Sequence, residues 1–168
     1  IVGALMSNLG MEHALKKLKV DLLRANVGDR YVMELMKQHG SILGGEGSGH
    51  IICLDRTTTG DGVVAELQVL AEVHRTGKSL YELKSEMSKY PQVLVNVKVA
   101  KKVDPNSNET IQKAVQAVEK ELGDSGRVLL RASGTEPLIR VMIEGVNEDV
   151  VRKHANELAD VVKNAITA

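Results

Sequence analysis

The chain of 168 residues is 43% apolar, and 22 Lys plus Arg balance 22 Asp plus Glu, so its formal net charge is zero. Neutrality argues against a nucleic-acid partner, which calls for a basic footprint; three Tyr with no Phe or Trp leave no aromatic platform for stacking bases. No apolar stretch approaches the roughly 20 residues that span a bilayer, no polybasic segment suits a membrane surface, and the single cysteine, Cys53, excludes an internal disulfide and fits a reducing, cytoplasmic setting.

The opening Ile1-Val-Gly-Ala-Leu5 has no initiator Met and no signal-peptide pattern. It reads as a buried strand within a longer polypeptide, the alternative being a leader or tag removed from the chain. That strand runs over 1–6. Ser7 is placed to cap a helix whose Met11, Ala14, Leu15 and Leu18 share a face. Residues 20–25 read as a second strand, and 29–39 as a second helix stopped by Gly40. Strands follow from Ser41 to Gly44 and over 51–54. Asp61 can cap a third helix with Val63, Leu67, Leu70 and Ala71 on its core face, and a short helix covers 79 to about 88. Alternating strands and helices predict a Rossmann-like α/β/α domain with a mostly parallel sheet over 1–90.

Tyr90-Pro91 is the natural boundary, because Pro removes an N–H and drives the preceding residue out of helix. Beyond it Val93, Val95, Val97 and Val99 alternate with Leu94, Asn96 and Lys98, as on a half-buried strand. Asp104-Pro-Asn-Ser-Asn108 is a turn. Ile111, Ala114, Val115, Val118 and Leu122 mark a helix ended by Gly123. Strands at 127–130 and 139–143 precede a last helix, which starts near Asn147 with Glu148 and Asp149 suitably acidic and has Val151, Leu158, Val161, Val162 and Ala165 on its core face. The order predicts a small α+β domain over 91–168 with a mostly antiparallel sheet.

Two loops carry chemistry. Arg131-Ala-Ser-Gly-Thr-Glu-Pro-Leu-Ile-Arg140 sets two guanidiniums, two hydroxyls and a glycine on a turn between strands. Phosphate needs just such a positive fork, hydroxyl donors and bare backbone N–H groups. The alternative is a hairpin turn with two surface arginines. Gly44-Gly-Glu-Gly-Ser-Gly-His50 admits close approach to the backbone. There Glu46 can accept from vicinal sugar hydroxyls, Ser48 can donate and accept, and His50 can bind an anion or shuttle a proton. The alternative is polar filler between strands. No dinucleotide fingerprint is present, because a strand rather than a helix follows the glycines. Asp29-Arg30 and Asp55-Arg56 read as surface ion pairs, His154 and Cys53 as structural, and no cluster has metal-ligand spacing.

These loops, with Val2-Gly-Ala-Leu-Met-Ser-Asn-Leu-Gly10, Val27-Gly-Asp-Arg-Tyr-Val32 and Thr57-Thr-Thr-Gly-Asp-Gly62, resemble the α-D-phosphohexomutases over nearly the whole chain, and most closely their bacterial phosphoglucosamine mutase branch. The resemblance implies the third and fourth of four domains. It also implies an isomerase reaction, glucosamine 6-phosphate to glucosamine 1-phosphate, through a phosphoserine enzyme and a bisphosphate intermediate, on the route to UDP-N-acetylglucosamine and peptidoglycan. By resemblance Arg131, Ser133, Gly134 and Thr135 cradle the non-reacting phosphate with Arg140 close by, Glu46 and Ser48 read sugar hydroxyls, and His50 is a candidate either for contact with the reacting phosphate or for proton transfer. The family's phosphoserine and its magnesium loop belong to the first two domains, so Mg2+ is expected outside this chain and the isolated chain is expected to be inactive. Its partners would be the phosphosugar and the N-terminal domains of the same polypeptide, with a homodimer also open. Gly47 departs from the family, which usually has Gln or Asn there. A different reading is a free-standing phosphosugar-binding module that acts with a partner.

Overall fold

A computed structural model describes residues 1–100 and 103–167, which form two compact units, Ile1–Lys89 and Tyr90–Ala168. The first has strands β1 (Val2–Ala4), β2 (Leu23–Ala25), β3 (Leu43–Gly45) and β4 (Ile51–Cys53), and helices α1 (Leu9–Lys17), α2 (Asp29–Gln38), α3 (Gly62–Thr76) and α4 (Leu80–Lys84). The strand order is β2-β1-β3-β4; β1 pairs parallel with β2 and with β3, and β4 pairs antiparallel with β3. Chain direction across the sheet reverses at β1. With the right-handed crossovers that such units adopt, this order calls for α1 and α2 on opposite faces. The core is Val2, Ala4, Ala25, Val32, Met36 and Ile52.

The second unit has β5 (Gln92–Lys98), α5 (Glu109–Leu122), β6 (Gly126–Ala132), β7 (Leu138–Gly145) and α6 (Glu148–Thr167). Its sheet is antiparallel throughout, in the order β5-β7-β6. The alternate residues Val93, Val95 and Val97, Ile139, Val141 and Ile143, and Val128 and Leu130 face α5 and α6, where Ile111, Val151, Leu158 and Val162 close the core.

Local signals set most boundaries. Asp61 accepts from the N–H groups of Val63 and Val64, and Gly123 ends α5 at φ 50°. Elsewhere the structure differs from the pattern. Asn8, not Ser7, caps α1, accepting from Gly10 N–H; Ser7 is buried, and its side chain fills the space beside Gly3. The second strand starts at Leu23, after a turn in which Lys19 takes a left-handed φ of 58°. The short helix spans only Leu80–Lys84, held by a capping box between Ser79 and Glu82. The largest departure is α3. Its expected core face, Val63, Leu67 and Leu70, is more than half exposed, and only Ala65 is buried. The helix lies beside the edge strand β4, so a narrow flank is enough to seat it. No helix among the described residues is long and apolar enough to cross a membrane.

Candidate functional site

In a parallel sheet, ligands gather outside the carboxyl ends of the strands, where strand order reverses. Here that edge holds the ends of β2 and β3. The chain leaves β2 at Ala25 and reaches Gly28 and Asp29 at the start of α2; it leaves β3 at Gly45 and enters the loop 46–50. The loop is a tight turn. Glu46 N–H donates to the His50 carbonyl (2.9 Å), Gly49 N–H donates to the Glu46 carbonyl (3.1 Å), and Gly49 sits at φ 99°. A side chain at Gly45 would meet the His50 carbonyl at 2.5 Å, so the two strands approach too closely for a Cβ there.

Two side-chain bonds tie this loop to the first turn of α2. Gly28 N–H donates to Glu46 Oε1 at 2.5 Å. His50 Nδ1 lies 3.0 Å from Asp29 Oδ2 and 3.2 Å from Oδ1. Asp29 thus pairs with a histidine, not with Arg30 as the sequence suggested. Glu46 is half-buried and keeps its second carboxylate oxygen unengaged among the described residues, while Ser48 and His50 are exposed. The arrangement can present one carboxylate oxygen, a hydroxyl and an imidazole Nε2 to a polyhydroxylated ligand.

The same three side chains, Asp29, Glu46 and His50, bring one ligand atom each within 4.8 Å of one another. They do not fit magnesium, which takes an octahedron of oxygens and keeps several waters. One of the three donors would be an imidazole nitrogen, a ligand that suits softer transition metals better than this hard cation.

In the second unit, Arg131 on β6 stands opposite Arg140 on β7, and Asn96 on β5 stands opposite Arg140 on its other side. These three share a row on the face away from α5 and α6. Lys98, two residues beyond Asn96, shares that face. Neither arginine's guanidinium has an ion pair or hydrogen bond among the described residues, and Lys98 likewise has no counter-charge. Two rows along, by contrast, Arg127 Nε donates to the buried Glu144, which also accepts from Gln92 Nε2 at 3.1 Å. So one row of the face is neutralised and the other is left positive. Burial, and then the charge of Arg140, hold the Arg131 guanidinium below its ordinary pKa. It nonetheless stays charged, because arginine titrates far above working pH.

The turn 133–138 closes on Ser133, which is buried at 4% exposure. Its N–H donates to the Leu138 carbonyl at 2.8 Å, and its Oγ accepts from Glu136 N–H at 3.3 Å. The Ser133 backbone N–H is therefore engaged within the turn; its hydroxyl proton remains to be donated. Gly134 and Thr135 are exposed at the tip, and nothing lies within 4 Å of where a Gly134 Cβ would stand. The Glu136 side chain is exposed and forms no ion pair among the described residues.

Gly28, Asn96 and Lys98 were not among the candidates that the sequence offered, and Asp29 stood there only as half of a surface ion pair with Arg30. The alternation of Asn96 and Lys98 with valines gave their face but not their register. Of the other groups, His154 is buried between α5 and α6, with Nε2 3.2 Å from Glu121 Oε2, and Cys53 is a buried free thiol.

Residues 1–90 match the model of the phosphoglucomutase/phosphomannomutase alpha/beta/alpha domain III, and 94–161 match that of the C-terminal domain. The chain belongs to the phosphoglucomutase/phosphomannomutase family. It is 63% identical over its whole length to a phosphoglucosamine mutase of Methylococcus capsulatus, and 58% identical over 96% of its length to one of Nitrosococcus oceani. It spans only 38% and 36% of those curated relatives. Among solved structures, N-acetylphosphoglucosamine mutase of Aspergillus fumigatus superimposes with a TM-score of 0.82 at 20% identity, covering 98% of this chain and 39% of that one. The same Aspergillus enzyme in complex with GlcNAc-6P and magnesium gives a TM-score of 0.79 at 20% identity, again over 98% and 39%. At that identity the likeness is one of fold, shared by both units.

Proposed function

We propose that this chain is the phosphosugar-recognising C-terminal portion of a phosphoglucosamine mutase, an enzyme that interconverts glucosamine 6-phosphate and glucosamine 1-phosphate. The observation that carries the reading is 63% identity across all 168 residues to a protein of that name, of which the chain spans 38%. In this reading the first unit reads sugar hydroxyls through Glu46 and Ser48, with His50 exchanging a proton. The second unit holds a phosphate with Arg131, Arg140, the Ser133 hydroxyl, Gly134 and Thr135. Asn96 and Lys98 join that row because they share its face. The unneutralised arginine pair supports the assignment: like charges in register repel, and a dianion between them removes the repulsion.

The phosphoserine that donates to one end of the sugar and recovers a phosphoryl from the other belongs to the remainder of the longer polypeptide. So does magnesium, which when bound would neutralise charge on the transferring phosphoryl group; the Asp29, Glu46 and His50 set does not suit it. A buried free cysteine, Cys53, accords with a reducing cytoplasm.

The test has two parts. Glucosamine 6-phosphate titrated into the isotopically labelled chain should shift the resonances of Arg131, Thr135, Glu46 and His50. Supplied with the hexose bisphosphate and magnesium, the chain alone should give no mutase turnover. Sustained turnover would overturn the portion reading, and an unperturbed Arg131 would overturn the phosphate assignment.

A further inference from the structure

Asp29 sits 21 residues before His50 in sequence, yet its carboxylate meets the imidazole at Nδ1. We infer that Asp29 is a positioning residue, which holds His50 in the Nδ1–H tautomer so that Nε2 carries the lone pair that exchanges a proton with the bound ligand. The proton-exchange half of this inference rests on the phosphosugar reading above; the tautomer half does not.

The geometry supports it in three ways. A carboxylate only accepts, so the nitrogen beside it must carry the proton in the neutral ring. The other nitrogen, Nε2, has no hydrogen-bond partner among the described residues, and the side chain is 59% exposed. The contact is also braced. Gly28, the neighbour of Asp29, donates its N–H to Glu46, so the first turn of α2 grips both ends of the loop 46–50. Gly28 takes φ 128°, a conformation that side-chain-bearing residues rarely adopt, and it therefore serves as the joint that aims both groups.

The chemistry follows. As a sugar oxygen bonds to phosphorus and the serine–phosphorus ester bond breaks, the hydroxyl proton passes to Nε2. The ring then carries N–H on both nitrogens, and its positive charge faces Asp29. In the reverse direction Nε2 returns the proton to the leaving sugar oxygen. Without Asp29 the ring is free to turn or to hold its proton on Nε2, where it cannot accept.

The test is the nitrogen-15 chemical shifts of the His50 ring, in the ligand-free chain at about pH 8, where an unperturbed imidazole is neutral. The Nδ1–H tautomer should predominate. Asp29→Ala should lower the Nδ1–H to Nε2–H ratio about tenfold, the low end for a hydrogen bond to a charged group, and let the Nε2–H form that a free imidazole ring favours take over. Asp29→Asn, whose Oδ1 still accepts, should keep most of the bias. A merely structural role for Asp29 would leave the ratio unchanged in every folded variant. Nε2–H predominating in the parent chain, or a ratio indifferent to Asp29→Ala, overturns the inference. The parent measurement needs no variant to fold. If the tautomer shifts as expected but glucosamine 6-phosphate perturbs neither His50 nor Glu46, the dyad is upheld and it is the mutase reading that fails.

Discussion

Arg131 and Arg140 face each other across β6 and β7, in register, and neither forms an ion pair with a carboxylate among the described residues. Like charges directly opposite on a sheet cost about 0.2–1 kcal/mol, so Arg131→Gln should leave the fold as stable or slightly more stable. The same change should weaken phosphate binding by about 1.5–3 kcal/mol, roughly ten- to a hundredfold, because a charge-assisted bond is lost. Urea unfolding and calorimetry with glucosamine 6-phosphate would show whether stability and affinity move in opposite directions.

Lys98 shares the face of that pair and has no counter-charge among the described residues. Its exposed position limits its share, so Lys98→Ala should reduce phosphate affinity by about two- to fivefold, and Lys98→Arg should preserve it. Affinity in the parent should also rise as pH passes about 6, where a phosphate monoester gains its second charge. Calorimetry at several pH values and salt concentrations would read both effects. An affinity indifferent to Lys98→Ala would remove it from the row.

Glu144 is fully buried against Arg127 and Gln92. Arg127→Met would strand its charge, at about 3–5 kcal/mol for a buried pair. The low end is expected, because Arg127 keeps 19% exposure. Restoring neutrality with Glu144→Gln in the same chain should recover part of the loss. Denaturant melts of the single and double variants would measure the coupling.

Gly45 and Gly47 should respond oppositely. A Cβ at Gly45 meets the His50 carbonyl at 2.5 Å, so Gly45→Ala must open the turn, at about 1–3 kcal/mol. Around Gly47 there is open space, and its φ is not left-handed. Gly47→Gln should therefore be tolerated or stabilising by about 0.4–1 kcal/mol, since it restricts the unfolded chain. It would also supply the amide that the resemblance implies at this position. Thermal melts and sugar-phosphate titrations of the two variants would separate backbone crowding from side-chain recognition.

Much of the architecture was legible in the sequence, because helices and strands answer to signals a few residues long. The carboxylate of Asp61 and the left-handed Gly123 mark helix ends that the structure reproduces, and alternating valines gave β5 its core face. The two loops stood out for the same reason, since each packs its unusual residues into one short run. Where a neighbouring surface decides, the local pattern misled. The stripe Val63, Leu67 and Leu70 reads as a core face yet lies exposed, because periodicity says which residues share a side and not whether anything covers it.

By itself the sequence determined the order of elements, the antiparallel character of the second unit and the composition of both loops, all consequences of local propensity and short-range periodicity. Only the tertiary structure decided that Asp29 meets His50, that Gly28 holds Glu46, and that Asn96 shares a row with Arg140 and Arg131. Those relationships depend on strand order and register. Register is fixed by the burial of whole faces together, and no spacing along the chain encodes it.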